Sequence, residues 1–251
     1  MTIRAVTFDC WGTLLVDGPG SDERYKNRRL GGIEDALKRF GIEPGRLSLS
    51  QAYDASLRRL AATTWDRNRD VPVKNHVTLL LEAVDPTLPG QLLPAQLAEL
   101  VEAYTTPALQ APPKVDPDAR SALEWLADQG IAVGVVSNVM RTPGRVLAQI
   151  LERAGLPPFK VLAFSDQYGI RKPDPAMFRL ALRRVDVAPE HAVHVGDDPV
   201  LDVEGALDAG MAVIQVAPEG QARAPVKPDA VIRGLSEVPA AIERLASITT
   251  A

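Results

Sequence analysis

The sequence predicts an α/β protein: a Rossmann-like parallel sheet with helices on both faces, interrupted by an inserted all-helical segment. Three observations carry this. The first apolar run, Ile3 to Phe8, stops abruptly at Asp9, as a strand buried on both faces does. Residues from about 22 to 106 show helical spacing only. After that, helical stretches alternate with short apolar runs, the pattern of parallel strands joined by crossover helices. A chain of 251 residues is long enough to bury a substantial core in one or two domains.

Taken in order, Gly12 and Thr13 turn the chain after the first strand, and Asp17-Gly18-Pro19-Gly20-Ser21 is a breaker cluster that predicts a hinge. Leu30, Ile33, Leu37 and Phe40 then recur at helical spacing, and Gly41 supplies the stop. Ser48 and Gln51 predict a capping box, with Tyr53, Leu57, Leu60 and Thr64 as the inner face of that helix. Two further helices are expected over 72–84 and 94–104, and the prolines at 107, 112, 113 and 117 mark a second hinge. Beyond it, a helix before Gly130 leads to a strand over 131–136 that ends at Ser137-Asn138. Thr142-Pro143 opens a helix, a strand covers 161–164, and Asp174-Pro175 opens another helix. A strand over 192–195 ends at Gly196-Asp197, and the next strand covers 211–216 after a helix. The expected division is therefore a core of residues 1–17 and 112–251 around a helical cap of residues 18–111.

Composition narrows the function. Lys+Arg of 28 against Asp+Glu of 32 leaves a net charge of -4, which argues against a nucleic-acid or membrane-surface binder. The single cysteine, Cys10, allows no intrachain disulfide and fits a reducing compartment. The apolar run before Asp9 is too short for a signal-peptide core, and no run approaches bilayer-spanning length. The expectation is a cytoplasmic protein whose partner is a small anionic molecule.

Asp9, Ser137 and Asp197 fall at expected strand ends, where open α/β sheets bind ligands. Four segments gather chemistry there: Asp9-Cys10-Trp11-Gly12-Thr13, Ser137-Asn138, Arg171-Lys172-Pro173-Asp174-Pro175, and Gly196-Asp197-Asp198-Pro199-Val200-Leu201-Asp202. A carboxylate cluster cannot keep its charges out of water without cations. Asp9, Asp197 and Asp202 therefore call for Lys172 and a metal, and an all-oxygen donor set suits Mg²⁺. Asp9 is then a covalent nucleophile, with Ser137 and backbone N–H groups holding the oxygens of the transferred group.

These segments, in this order, resemble the haloacid dehalogenase superfamily, and the resemblance spans the chain. Its first motif matches Asp9 to Leu14, its second Ser137, its third Lys172, and its fourth Gly196 to Asp202. Arg171 to Pro175 with Phe178, and His194 to Asp197 with Asp202, look like the phosphatase-like branch. The resemblance implies a Rossmann-like core with an all-helical cap inserted after the first motif. It also implies catalysis by Asp9, Lys172 and Ser137, and substrate contacts from Trp11, Gly12, Thr13, Ser137, Asn138 and Lys172. The implied Mg²⁺ ligands are Asp9, the Trp11 backbone carbonyl, Asp197 and Asp202.

One position departs from the pattern. Phosphatases of the family carry an aspartate two residues after the nucleophile as general acid and base, and this chain has Trp11. An indole neither protonates a leaving oxygen nor deprotonates a water at neutral pH. Dehalogenases have an aromatic residue there, need no Mg²⁺, and use a cap arginine for the substrate carboxylate. They lack the intact fourth motif seen here. The first expectation is a Mg²⁺-dependent phosphatase of a small organic phosphate. The alternatives are a metal-independent 2-haloacid dehalogenase and a catalytically quiet phosphate-binding or regulatory protein. A phosphonate-cleaving enzyme ranks below these, since Lys26, Lys38 and Lys74 offer no distinguished Schiff base.

Plainer readings stand beside these. Trp11 suits a hydrophobic lid as well as a stacking surface. Cys10 reads as a small buried hydrophobe. Asp198 reads as a helix cap ahead of Pro199. Asp202 reads as a ligand or as the partner that holds Lys172. His76, His191 and His194 read as structural; Arg28-Arg29 and Arg58-Arg59 read as solvated helix faces, with anion binding by one pair as the lesser alternative, and no motif marks out Arg28, Arg29 or Arg39 of the first cap helix.

Overall fold

The computed structural model describes residues 2–220 and 226–248; Met1, 221–225 and 249–251, which belong to the expected core, lie outside them. The strands are β1 (Ala5–Phe8), β2 (Leu15–Val16), β3 (Lys114–Val115), β4 (Ala132–Ser137), β5 (Val161–Phe164), β6 (Ala192–Gly196), β7 (Ala212–Val216) and β8 (Ala230–Ile232). Six of them form one sheet in the order β5-β4-β1-β6-β7-β8. Every pairing in it is parallel. All four residues of β1 are buried, as expected of the central strand. Three strands were not foreseen: β8 at the sheet edge, and the antiparallel pair β2 and β3 at the base of the helical segment. All three are very short, below what alternation or an apolar run can reveal.

Between β2 and β3 lie α1 (Ser21–Arg39), α2 (Arg46–Thr63), α3 (Val73–Val84), α4 (Leu88–Gln91), α5 (Pro94–Thr105) and α6 (Pro107–Gln110), with one 3₁₀ turn at Trp65–Arg67. The core helices are α7 (Ala119–Asp128), α8 (Gly144–Arg153), α9 (Ser165–Tyr168), α10 (Pro175–Arg184), α11 (Gly205–Ala209) and α12 (Val238–Ile248). A π turn over Pro199–Glu204 runs into α11. The expected capping box at Ser48 is not formed. α2 already begins at Arg46 after Gly45, so Ser48 lies inside its first turn.

Hydrophobic packing separates the layers. Phe8, Leu14, Val135, Leu147 and Ile214 belong to one cluster and Val136, Phe178, Leu182 and Val213 to another. Leu30, Ile33, Leu37, Leu49, Tyr53, Leu80 and Leu100 form a third cluster within the helical segment. The predicted inner face of α1 thus packs inward on helices of its own layer. The helical layer has its own core, which lets it hold its shape above the strand ends.

Candidate active site

Parallel strands expose their carboxyl ends along one edge, and β1, β4 and β6 deliver Asp9, Ser137 and Asp197 there. β1 and β4 pair with Phe8 opposite Val135, while β1 and β6 pair with Phe8 opposite Val195. The residues that follow each strand therefore converge. Asp9, Asp197 and Asp202 each offer a carboxylate oxygen within 4.8 Å of the others.

Lys172 ties two of them together. Its Nζ donates to Asp9 Oδ1 at 2.6 Å and to Asp202 Oδ1 at 2.5 Å, with the lysine and Asp202 fully enclosed. Burial opposes the ammonium charge, but Asp202 and Asp9 outweigh it, and the lysine pKa is raised. Burial also opposes charge on Asp202. Lys172 and His194 prevail, and its carboxyl lies well below the usual range. His194 Nε2 is 3.1 Å from Asp202 Oδ1, its Nδ1 is 2.9 Å from Thr7 Oγ1, and the Asp198 N–H donates to Asp202 Oδ2 at 2.9 Å. Both Asp202 oxygens are thus engaged by protein donors.

Asp9 and Asp197 are less well compensated. Burial raises the Asp9 pKa against the pull of Lys172. Burial, then Asp9 and Asp202, push Asp197 up to about 6. Thr13 Oγ1 is 3.3 Å from Asp197 Oδ1. Gly12, at φ +85°, lies so close that a Cβ there would stand 2.6 Å from both Asp197 oxygens. One cation among three acids, an all-oxygen donor set and a backbone cradle closed to any side chain fit a hard divalent ion.

The other predicted residues fall into two groups. Trp11, Asn138, Lys172, Asp197 and Asp202 line one cavity of about 310 Å³ with Asp9. Ser137, Gly12 and Thr13 do not line it. Ser137 is buried at the β4 end, with its Oγ 3.5 Å from Asn138 O. Asn138 uses both ends of its amide on Lys172: Nδ2 donates to the lysine carbonyl at 2.9 Å, and Oδ1 accepts the lysine N–H at 2.8 Å. Asp198 caps the turn after Pro199, accepting from Val200 N and Leu201 N at 2.9 and 2.7 Å. Cys10 is fully buried, and burial together with Asp9 pushes its thiol up, so it is not poised to react.

Three residues at or beside the cavity were not singled out by the sequence. Arg29 was expected on a solvated face but is only 2% exposed. It donates to the neutral oxygens Tyr104 O at 3.0 Å and Thr142 Oγ1 at 2.9 Å. Arg141 lines the same cavity, its Nη1 3.4 Å from the exposed Asp22 and its buried Nε unpartnered among the described residues. His194 was expected to be structural, yet it touches Asp202. A signal for it existed: it stands opposite Thr7 in the β1–β6 register, two residues before the Asp9 and Gly196 strand ends. No local pattern marks Arg29 or Arg141, because their positions depend on how the helical layer meets the β4–α8 loop.

The family described as haloacid dehalogenase-like hydrolase matches residues 3–210. Glyceraldehyde 3-phosphate phosphatase of Methanopyrus kandleri is 32% identical over 219 residues, 85% of this chain and 84% of that protein. Phosphoserine phosphatase of Thermus thermophilus is 36% identical over 124 residues, 49% of this chain and 48% of that protein. The chain spans about half the length of the first curated relatives it matches. Among solved structures, a 2-haloacid dehalogenase from Pseudomonas syringae pv. Tomato DC3000 superposes with a TM-score of 0.72 at 27% identity, covering 97% of this chain and 100% of that one. No helix among the described residues is long and apolar enough to cross a membrane.

Proposed function

We propose that this chain, which belongs to the haloacid dehalogenase-like hydrolases, is a Mg²⁺-dependent phosphatase of a small organic phosphate. The observation that carries the reading is the trio Asp9, Asp197 and Asp202 with a single ammonium among them. Three acids and one lysine leave room for a divalent cation. A haloacid displacement, whose substrate and leaving group are both anionic and which needs no metal, gives no reason for that excess of carboxylate. The names of curated relatives, which include phosphatases of phosphoserine, phosphoglycolate and glyceraldehyde 3-phosphate, point the same way.

Asp9 and Asp197 would hold the ion, with the Trp11 carbonyl; Asp202, its oxygens taken by Lys172, His194 and Asp198, orients the lysine. When bound, Mg²⁺ supplies charge neutralisation between the nucleophile and the phosphoryl oxygens. Asp9 attacks phosphorus, the ester oxygen departs with the electron pair of its P–O bond, and an aspartyl-phosphate remains. Attack of water on phosphorus breaks the P–O bond to Asp9, whose oxygen keeps the electron pair as free carboxylate. The water's proton passes to the released inorganic phosphate or to solvent. Lys172 holds Asp9 in place and offsets the charge of the phosphoryl group. Trp11 covers the site and gives no proton to the departing oxygen. The helical layer, residues 18–111, acts as the cap; its Arg29, with Arg141 of the β4–α8 loop, gives the cavity a positive wall suited to an anionic substrate.

Trp11 and the Pseudomonas syringae structure favour one second reading, a 2-haloacid dehalogenase with Asp9 as ester-forming nucleophile and Arg29 for the substrate carboxylate. A panel of phosphomonoesters and 2-haloacids, run with Mg²⁺ and with chelator, separates the two. Mg²⁺-dependent phosphate release is expected, and Asp9→Asn should abolish it with the fold kept. Halide release that chelator leaves untouched would overturn the phosphatase reading.

A further inference from the structure

A buried carboxylate of the helical layer reaches the strand-end loops, and the proposed chemistry does not use it. Asp70 lies between the Trp65–Arg67 turn and α3, and its side chain is wholly buried. Its Oδ1 accepts from Trp65 Nε1 at 3.1 Å and from Val71 N at 2.8 Å. Its Oδ2 accepts from Ser165 Oγ at 2.5 Å and from Arg171 Nη1 at 2.6 Å.

Those last two donors lead to the same residue. Ser165 Oγ accepts the Val139 N–H at 2.8 Å, and Arg171 Nη1 donates also to Val139 O at 2.6 Å. Val139 follows Asn138, Arg171 precedes Lys172, and Asn138 and Lys172 exchange two hydrogen bonds. The bonds close a ring through Asp70, Ser165, Val139, Asn138, Lys172 and Arg171. Backbone bonds reinforce it: Asp70 N donates to Gly169 O at 3.1 Å and Arg171 N to Asn68 O at 3.0 Å. The Arg171 guanidinium also stacks over Trp65, 4.8 Å from the ring centre.

A buried ion pair adds little net stability over apolar side chains of the same size. Mere neutralisation of Arg171 therefore does not account for a carboxylate with four donors, two of which bind both backbone groups of one loop residue. We propose that Asp70 is a positioning residue for the chemistry at Asp9. It clamps the loop after β4 to the loop before α10, and so sets where the Lys172 ammonium stands. The inference rests on reading Asp9 and Lys172 as the acting pair.

The test uses the full chain as wild type, Asp70→Asn, Ser165→Ala and Leu49→Ala. Leu49 is buried in the core of the helical layer, in a different hydrophobic cluster from Val139 of the ring, so it reports general loosening of that layer. Two readouts are taken: amide hydrogen exchange over 137–141 and 169–174, and kcat and KM on the best substrate of the panel. In Asp70→Asn, exchange should rise in both segments while the β1 and β6 amides stay protected. Its kcat should fall by roughly 10²-fold, the cost of about an ångström of misplacement, with KM moved far less. Ser165→Ala, a milder lesion that keeps the proposal testable if Asp70→Asn does not fold, should show the same pattern at smaller size. Leu49→Ala should loosen the helical layer and spare both segments and kcat. Unchanged exchange in the two segments in Asp70→Asn, or in Ser165→Ala where Asp70→Asn does not fold, overturns the proposal, as does an equal loss of kcat in Leu49→Ala. If the wild type is silent on every substrate, the proposed function fails, and the exchange data alone decide this inference.

Discussion

Lys172 Nζ stands 2.6 Å from Asp9 Oδ1, a contact between residues 163 positions apart. The same ammonium reaches Asp202, so one buried cation serves two buried carboxylates. Replacing it by a neutral side chain should hurt both function and stability. Lys172→Met leaves two enclosed acids facing each other without compensation, which typically costs about 3–5 kcal/mol. The depressed Asp202 pKa is a stabilising contribution present at neutral pH and lost as pH falls toward its folded value. The variant should forfeit it, and the carboxyl pKa values of Asp9 and Asp202, both held down by Lys172, should rise. Urea unfolding at neutral pH and inhibition by vanadate check this. Unaltered vanadate affinity would remove Lys172 from the anion site.

Gly12 predicts a second outcome. An alanine there would be strained at φ +85° and would drive its Cβ into the Asp197 carboxylate. The backbone strain alone is about 1–2 kcal/mol. Because the intruding atom meets the proposed ion-binding carboxylate, Gly12→Ala should weaken Mg²⁺ affinity more than thermal stability suggests. Calorimetric Mg²⁺ titration beside a melting curve tests the comparison; proportionate loss of both would mean the glycine serves the turn alone.

His76 sets an acid limit on the fold. The ring is 1% exposed, and neither nitrogen has a partner among the described residues. Burial lowers its pKa from 6.5 to about 4, with Asp70 opposing and Arg171 and Arg141 assisting. The folded value lies below the unfolded one. The neutral ring is therefore fully tolerated above about pH 6.5, and stability is lost as pH falls from there toward 4. The loss over that window is on the order of 3 kcal/mol. His76→Phe keeps the edge contacts with Trp65 and Tyr104 and should flatten the melting temperature between those pH values. An unchanged pH profile would show that other groups govern acid lability.

Trp11 gives the sharpest functional prediction. Without a carboxylate there, attack by Asp9 should depend on leaving-group acidity, so aryl phosphates should react far better than alkyl phosphates. Trp11→Asp should raise alkyl-phosphate turnover by up to roughly 10²-fold, the lower end of general acid–base contributions. Trp11→Ala opens the same space without a carboxylate and is the control. Equal behaviour of the two variants, or ordinary alkyl-phosphate rates in the wild type, would show that another residue donates the proton.

The α/β framework was legible because its signals are local. Asp9 ends an apolar run, Gly12 sits where the turn needs a positive φ, and Pro175 opens a helix behind Asp174. The order of the motif segments placed Asp9, Ser137 and Asp197 at strand ends, and Lys172 just before a helix, before any contact was known, since parallel strands present all their carboxyl ends on one edge. Side-chain partners were not legible. That Asp202 meets His194 as well as Lys172, the partner that one of its two sequence readings assigned it, that Asn138 clasps the Lys172 backbone, and that Arg29 is buried against Thr142 depend on how separate elements pack. A charged residue at a helical position reads the same whether water or protein faces it; desolvation and the donors brought by distant segments decide its role. Sequence alone thus determined the edge of the sheet where the chemistry gathers. The tertiary structure decided which acid holds the lysine and which arginines face the cavity, because those depend on distances between segments that no local pattern encodes.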